Sequence, residues 1–448
     1  MRKWSHVTCV LAVITCITVA TVGIVAAQDG TQATGQQTGG GQPGKAAQEF
    51  DALFAQWRTK LDAMRKLQVD YKQSRPEDRP AMEQQFDQLL GEAKEMSVQL
   101  QALIEAAYRE NPEDQEKAKF LESLAFLLFK EDKFEESLRL WNVLLDRSTD
   151  RRGQHLDYAG QCQYLLNDYS TAQKTLEDAE KELAGRRPLS AEAQSMRANL
   201  DLDRQAWEAE LAAQKADEKP SGDALELPRV QLETSTGMVV IELFENEAPN
   251  TVANFITLVR KGFYDGLEFY RVVEGESALV GDPTNSGNGG AGYEIPFEAS
   301  EEPYRKHFRG SVSMARQAIS KETASSQFFI TFRRDNARQL DGEYTVFGRV
   351  VEGMDTVTKF ARPDARSEDG TISEPDRIIK ATVLNARDHE YKFRKVGDPE
   401  EGTDAAGSDS GGNAAGGGDG SNDTGAGDGG SGGGSNTGGG GGDGGGGN

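Results

Sequence analysis

Gln327 is the residue whose type and setting first point to chemistry. It stands in Ser325-Ser326-Gln327-Phe328-Phe329-Ile330-Thr331-Phe332, a polar amide set against an unbroken apolar run. Phe328 to Phe332 has strand length and is rich in aromatic and β-branched residues, which predicts a buried strand. A buried amide without hydrogen-bond partners costs about 1–3 kcal/mol. Gln327 therefore either ties down a neighbouring loop or holds something that comes and goes, and the stretch alone leaves both open. Arg271, beside Phe269 on a second strand-like segment, reads by itself as a solvated strand residue. His6, His155, His307 and His389 are scattered, and no pair has metal-ligand spacing, so no structural zinc is expected. The glycine cluster Gly287–Gly292 lacks the helix that a phosphate loop must open. Tyr293-Glu294-Ile295-Pro296 follows instead, which rules against nucleotide binding.

The chain that positions these residues has 448 of them, enough for two or three domains. Its net charge of −23 leaves no basic excess to neutralise phosphates, so nucleic acid is a poor partner and proteins are better ones. Met1-Arg2-Lys3-Trp4 is basic and leads into an apolar run from Val7 to Ala27 that ends in small residues. That pattern predicts a secretory signal over 1–27 and an exported, periplasmic or otherwise extracytoplasmic protein. Left uncleaved, the same run is long enough to anchor the chain in a bilayer. Cys9 and Cys16 lie within it, so Cys162 is the only cysteine of a processed chain and an intramolecular disulfide is not expected.

Residues 28–45, rich in Gln, Gly and Thr, read as a disordered linker. From 46 to 216 the apolar residues recur at helical spacing, as in Phe50, Leu53, Phe54, Trp57, Leu61 and Met64. Pro76 and Pro80 end that first helix, and a second runs through Phe86, Leu89, Leu100 and Ile104 to Asn111-Pro112. Leu124-Ala125, Phe134, Ser137-Leu138 and Trp141 are then echoed by Ala159-Gly160, Tyr169, Ala172 and Leu176. The step from Phe134 to Tyr169 is 169 − 134 = 35 residues. This resembles the tetratricopeptide repeat in two degenerate copies, and the alternative is an irregular helical bundle with a chance echo. On either reading a helix from about Leu189 to Gln214 closes the array, and the expected role is protein contact.

A charged linker over 217–227 carries Pro220-Ser221-Gly222, after which periodicity switches to alternation. Val230 to Leu243, turning at Ser235-Thr236-Gly237, predicts a hairpin. Pro249-Asn250-Thr251 opens a helix that Gly262 ends, and strands are expected at Phe269–Val273, Gly310–Ala315, Phe328–Phe332, Thr345–Val350 and Ile378–Leu384. Many short strands with few helices predict a closed or nearly closed barrel. Residues 398–448 collapse to Gly, Asp, Ser, Asn and Ala, a composition that cannot offset its own ordering entropy, so a disordered tail is expected.

Five stretches of 228–390 together resemble the cyclophilins, the β-barrel peptidyl-prolyl isomerases. They are Ala248-Pro249-Asn250-Thr251-Val252-Ala253-Asn254-Phe255; Gly262-Phe263-Tyr264-Asp265-Gly266-Leu267-Glu268-Phe269-Tyr270-Arg271-Val272; Gly289-Gly290-Ala291-Gly292-Tyr293-Glu294-Ile295-Pro296; Gly310-Ser311-Val312-Ser313-Met314-Ala315; and Ser326-Gln327-Phe328-Phe329-Ile330 with Leu340-Asp341-Gly342 and Val346-Phe347-Gly348. The fold expected is thus an all-α, tetratricopeptide-like N-terminal domain, a mainly-β cyclophilin-like barrel with flanking helices, and a disordered Gly-rich tail. The reaction implied is rotation about an X-Pro amide, whose barrier is about 18–20 kcal/mol. By the resemblance, Arg271 supplies the cation that donates to the prolyl nitrogen as it becomes pyramidal, and Gln327 bonds the substrate backbone. Phe329 and Leu340 wall the proline pocket and Tyr344 stands at its rim, with Phe269, Ala315 and Arg316 completing the substrate-binding set. No cofactor or metal is implied. Expected partners are proline-containing polypeptides at the barrel and proteins at the helical repeats.

The departures from the family pattern bear on activity. Glu276, Ser277 and Leu279 replace a phenylalanine, a methionine and a glutamine that line the pocket and orient the arginine, which costs apolar area and sets a carboxylate near Arg271. At about 25 cal/mol per Å² that loss is worth several kcal/mol of ring binding. Gln339 stands where many members have tryptophan, and Tyr270 replaces a histidine outside the pocket. Two uses of the groove follow: isomerisation of exported clients, or non-catalytic binding of proline-containing segments as a scaffold or chaperone.

Overall fold

A computed structural model describes residues 44–147, 151–218, 226–300, 302, 304–363 and 372–398. The apolar run Val7 to Ala27, most of the 28–45 and 217–227 linkers, and all but the first residue of the 398–448 tail lie outside the described residues.

Among the described residues the N-terminal half is helical: α1 (Lys45–Gln73), α2 (Arg79–Glu110), α3 (Gln115–Lys130), α4 (Phe134–Arg147), α5 (Arg152–Leu165), α6 (Tyr169–Leu183) and α7 (Ala191–Glu218). Pro80 falls in the first turn of α2, where a missing N–H costs nothing. The Asp114 carboxylate caps α3 by accepting from the amides of Glu116 and Lys117, and Asp168 caps α6 through Thr171.

The echo in the sequence is a repeat in the structure. Helices α3 and α4 form one hairpin and α5 and α6 another, and Phe134 and Tyr169 are the first residues of their second helices. Each hairpin turns at a left-handed residue, Asp132 (φ 61°) or Asn167 (φ 65°), and 167 − 132 = 35 reproduces the period. Gly160 is required for close approach, since a Cβ there would lie 2.7 Å from Leu176 Cγ.

The second half forms an eight-stranded sheet, β1 (Arg229–Thr234), β2 (Met238–Leu243), β3 (Arg271–Val273), β4 (Ser277–Val280), β5 (Ser311–Met314), β6 (Phe328–Thr331), β7 (Val346–Glu352) and β8 (Ile378–Asn385), in spatial order β3-β4-β6-β5-β7-β2-β1-β8. Every pairing is antiparallel, and the sheet curls into a half-barrel. One bridge, Glu268 to Arg377, links the segments that precede the two edge strands. Helix α8 (Pro249–Arg260) packs Val252, Phe255 and Ile256 onto the sheet's inner face, where Phe255 meets Phe328 and Phe347.

Strand β4 was not expected, because Glu274-Gly275-Glu276-Ser277 breaks the apolar alternation. It is the strand that matters most for the site, since it separates the arginine from the aromatic wall.

The apolar cores of helices and sheet stay separate. They are joined by Trp207 against Phe308 (centroids 4.8 Å apart) and by ion pairs: Arg305 with Glu210, Arg309 with Glu135, Arg362 with Asp132, and Arg334 and Arg338 with Asp203.

Candidate active site

The sheet register places Arg271 opposite Leu279, Leu279 opposite Phe329, and Phe329 opposite Ser313. Directly paired residues in antiparallel strands point to the same face. One row across four strands therefore runs cation, aliphatic, aromatic, hydroxyl. The alternate residues Val272, Ala278, Val280, Phe328, Ile330 and Met314 fill the core behind it. Arg271 is exposed, its side chain makes no hydrogen bond or ion pair among the described residues, and Leu279 offers it none; the guanidinium is open to a ligand. Glu276 lies in the β3–β4 turn, beyond the Val273–Ser277 pair, and forms no ion pair with Arg271. The expected carboxylate beside the arginine is thus absent, because the chain reverses before reaching it.

Phe329, 5% exposed, is held on two sides. His307 stacks parallel to it (centroids 5.9 Å, 3°), and Tyr344 meets it edge-on at 5.6 Å. Tyr344 is braced by the Arg316 guanidinium, 4.6 Å from its ring centre, and Arg316 is fixed by Glu343 through the backbone oxygen (2.9 Å) and the carboxylate (3.1 Å). Leu340 ends the 3-10 turn Arg338–Leu340, half-buried, and its carbonyl accepts from the Tyr344 amide. Leu340, Tyr344 and the Glu343 that anchors Arg316 thus share one loop.

Gln327 resolves the opening ambiguity toward the loop. Its Nε2 donates to the Gly287 and Gly289 carbonyls (3.1 and 2.7 Å), and its Oε1 accepts from the Tyr270 hydroxyl at 2.6 Å. Both amide hydrogens are used, so a substrate backbone can reach this side chain through the remaining Oε1 lone pair or by displacing a glycine carbonyl. The Ala315 amide donates to the Gln327 carbonyl, which puts Ala315 beside it. Ala315, Arg316 and Gln327 line a cavity of about 550 Å³ with Gly289, Gln317 and Lys395.

Phe269 does not belong to the site. It is fully buried with its ring tilted against Phe360 (centroids 4.1 Å apart, 32°), leaving no surface for a ligand. The adjacent Tyr270 faces the other way and does belong, contrary to its expected place outside the pocket. Burial pushes its hydroxyl up to about 12, so it remains a hydrogen-bond donor to Gln327.

Two further residues escaped the sequence. Asp282, fully buried, accepts from the amides of Thr284, Ser286, Gly287 and Gly289 and so folds the glycine loop that Gln327 grips. Burial opposes its charge, but the Thr284 hydroxyl and these amides outweigh it and hold the carboxyl below its usual range. His307 donates through Nδ1 to Asp341 (3.0 Å) and accepts at Nε2 from the Ser313 hydroxyl (2.8 Å). Burial drives its pKa below the ordinary 6.5; Asp341 pulls the other way and the Arg334 charge adds to the fall.

His307 gives a signed pH dependence. A folded-state pKa lower than the unfolded one means that the unfolded chain binds more protons once the pH falls below about 6.5, so stability is present above that value and lost beneath it. The slope reaches about 1.4 kcal/mol per pH unit for one proton. Urea midpoints at two pH values, one above and one below the ordinary histidine pKa, are expected to fall further for the wild type than for His307→Gln. Equal falls would mean that His307 is not held neutral.

Gly281 closes the site from behind. Its φ is 101°, and a Cβ there would lie 2.4 Å from the Ser326 carbonyl oxygen and 2.9 Å from Gln327 Cα. Neither backbone atom can retreat without moving β6. Gly281→Ala is expected to cost about 2–4 kcal/mol by thermal melting, from steric overlap and a strained φ together. An unchanged melting temperature would contradict the tight approach of the two segments.

Comparison with known proteins places residues 229–383 within the family described as cyclophilin type peptidyl-prolyl cis-trans isomerase/CLD. A peptidyl-prolyl cis-trans isomerase of Helicobacter pylori is 42% identical over 135 residues, covering 30% of this chain and 80% of its own. The human peptidyl-prolyl cis-trans isomerase-like 1 is 38% identical over 160 residues, 36% of this chain and 94% of its own. A probable peptidyl-prolyl cis-trans isomerase of Brucella suis is 41% identical over 166 residues, 34% of this chain and 81% of its own.

Proposed function

The chain belongs to the cyclophilin-type peptidyl-prolyl cis-trans isomerases, and from that premise we propose that Arg271 is the group that lowers the X-Pro rotation barrier and that the enzyme serves exported clients. The activity is cis-trans isomerisation of X-Pro bonds in polypeptides. Rotation breaks no bond. It needs the ring held still while the prolyl nitrogen loses amide resonance and becomes a better acceptor. Phe329, fixed between His307 and Tyr344, is a rigid plate for the ring. Arg271 lies on the same face, one residue-pair beyond Leu279, with its guanidinium hydrogens unspent among the described residues. That single row is the observation that carries the assignment.

Leu279 leaves Arg271 without a side-chain partner on β4, so the arginine pays a larger ordering entropy when it engages substrate. Export is the reading that the N-terminal signal pattern supports, with membrane attachment if the run from Val7 to Ala27 is retained. The helical repeats serve as the surface that receives protein partners. The test is refolding of a protein whose slow phase is X-Pro isomerisation. The full chain is expected to accelerate that phase and Arg271→Ala to do so far less; equal acceleration by both would overturn the assignment to Arg271. For export, the untagged chain is expected in the extracytoplasmic fraction, and recovery from the cytoplasm alone would overturn it.

A further inference from the structure

We propose that the helical region is a positioning element of the isomerase site, in which two buried aspartates, Asp203 and Asp132, hold from outside the two segments that carry Leu340 and Arg271. Asp203, on α7, is fully buried. Its Oδ1 accepts from Arg334 Nε and Arg338 Nε, each at 3.0 Å, and its Oδ2 from Arg338 Nη2 at 2.5 Å and from the Tyr164 hydroxyl of α5. The two arginines belong to helix α9 (Arg334–Ala337) and the 3-10 turn that ends at Leu340. Arg334 reaches further, donating through Nη1 to the His307 carbonyl (2.8 Å) and to Asp341 Oδ2 (2.7 Å). One carboxylate of the helical region is thus two side chains away from the histidine stacked on Phe329. Without it, Arg334 and Arg338 would be left close together with Asp341 alone to balance them, and the segment would have to move.

Asp132 does the same for the other half of the site. It occupies the α3–α4 turn, is 1% exposed, and accepts from the Gly275 amide (3.0 Å) and from Arg362 Nη2 (3.0 Å). Asn336 of the barrel takes the Gly275 carbonyl at 2.8 Å, so the tip of the β3–β4 hairpin is held from both sides. That support is needed. Strand β3, which carries Arg271, has three residues, lies at the sheet edge and among the described residues pairs only with β4. Its hairpin also has Glu276 and Ser277 where apolar residues would anchor it. Asn167, one repeat period on, fills the same left-handed turn position without a carboxylate. Burial pushes the Asp132 carboxyl up, a cost that the turn itself does not require and that the Gly275 amide and Arg362 offset only in part.

The two clamps predict separable effects in the full chain. Asp203→Asn, which loosens the Leu340 wall, is expected to weaken binding of an Ala-Pro peptide about tenfold in an NMR titration while the exchange rate of the bound peptide stays within about twofold. Asp132→Asn, which loosens the Arg271 strand, is expected to leave binding within about twofold and slow on-enzyme exchange about tenfold. Glu135→Gln cuts the Arg309 ion pair, which leads to neither segment, and should change neither quantity. If an aspartate variant does not fold, Arg338→Gln removes two of the three arginine bonds to Asp203, and Arg362→Gln removes the arginine bond to Asp132, from the barrel side. Lower melting temperatures with unchanged binding and exchange, or Glu135→Gln matching the aspartate variants, would overturn the proposal. It rests on the roles given above to Arg271 and Leu340. A wild type that binds the peptide without exchanging it would contradict the role of Arg271, while the binding arm at Asp203 would still decide this proposal.

Discussion

Replacing Arg271 by alanine is expected to lower kcat/KM for an Ala-Pro peptide about a hundredfold or more, the range seen when a preorganised donor is removed from developing charge. The loss should come without unfolding. The Arg271 side chain is exposed and has no bonded partner among the described residues, and a surface side chain of that kind contributes less than about 0.5 kcal/mol to stability. Activity and melting temperature should therefore separate cleanly. The protease-coupled isomerase assay reads the first and circular dichroism the second. Retained activity would mean that another group meets the prolyl nitrogen, and no other unengaged cation lies in the row of paired residues that includes Leu279, Phe329 and Ser313.

The second large effect is at Phe329. Phe329→Ala removes a ring packed between His307 and Tyr344 and should destabilise the fold by about 3–5 kcal/mol. It should also abolish measurable peptide binding, because the cavity left behind has lost the plate on which the proline ring rests. Urea unfolding measures the first consequence and peptide titration the second. Phe329→Leu separates them, since it restores much of the volume but no flat face. Peptide binding that survives in the alanine variant would place the ring elsewhere in the groove.

Both predictions come from residues that the sequence pointed to, and the way they were legible is instructive. Helix α8 was marked at both ends by Pro249 and Gly262, and the helical hairpins by a period that the structure repeats in its left-handed turns, Asp132 and Asn167. A strand was expected at Phe269–Val273, but the ladder begins only at Arg271, so which of Phe269 and Tyr270 faces the core was not fixed by the pattern. The resemblance put Phe269 in the substrate-binding set, whereas its ring packs on Phe360 and Tyr270 turns to Gln327. Strand β4 was hidden because hydrogen bonding to its two neighbours, rather than apolar alternation, keeps Ser277 in the sheet. The docking of helices on barrel left no local trace at all. Its partners lie 131 residues apart for Arg334 and Asp203 and 143 apart for Gly275 and Asp132, and an aspartate in a turn looks the same whether it faces water or an amide.

Gln327 shows where a local signal was right and its use undecided. The buried amide was visible as an anomaly; that it ties Gly287, Gly289 and Tyr270 together depends on a loop folded by Asp282. The resemblance assigned it to the substrate, and the geometry gives it a structural task as well.

The central claim is that this barrel turns X-Pro bonds with the arginine of its edge strand although Leu279 stands where the family's orienting glutamine would be. Two-dimensional exchange NMR on a short Ala-Pro peptide tests it most directly, with the full chain at substoichiometric concentration. The account predicts cis-to-trans cross-peaks at mixing times far shorter than the uncatalysed tens to hundreds of seconds, present with the wild type and absent with Arg271→Ala. Peptide resonances that shift on binding but show no cross-peaks with the wild type would contradict it.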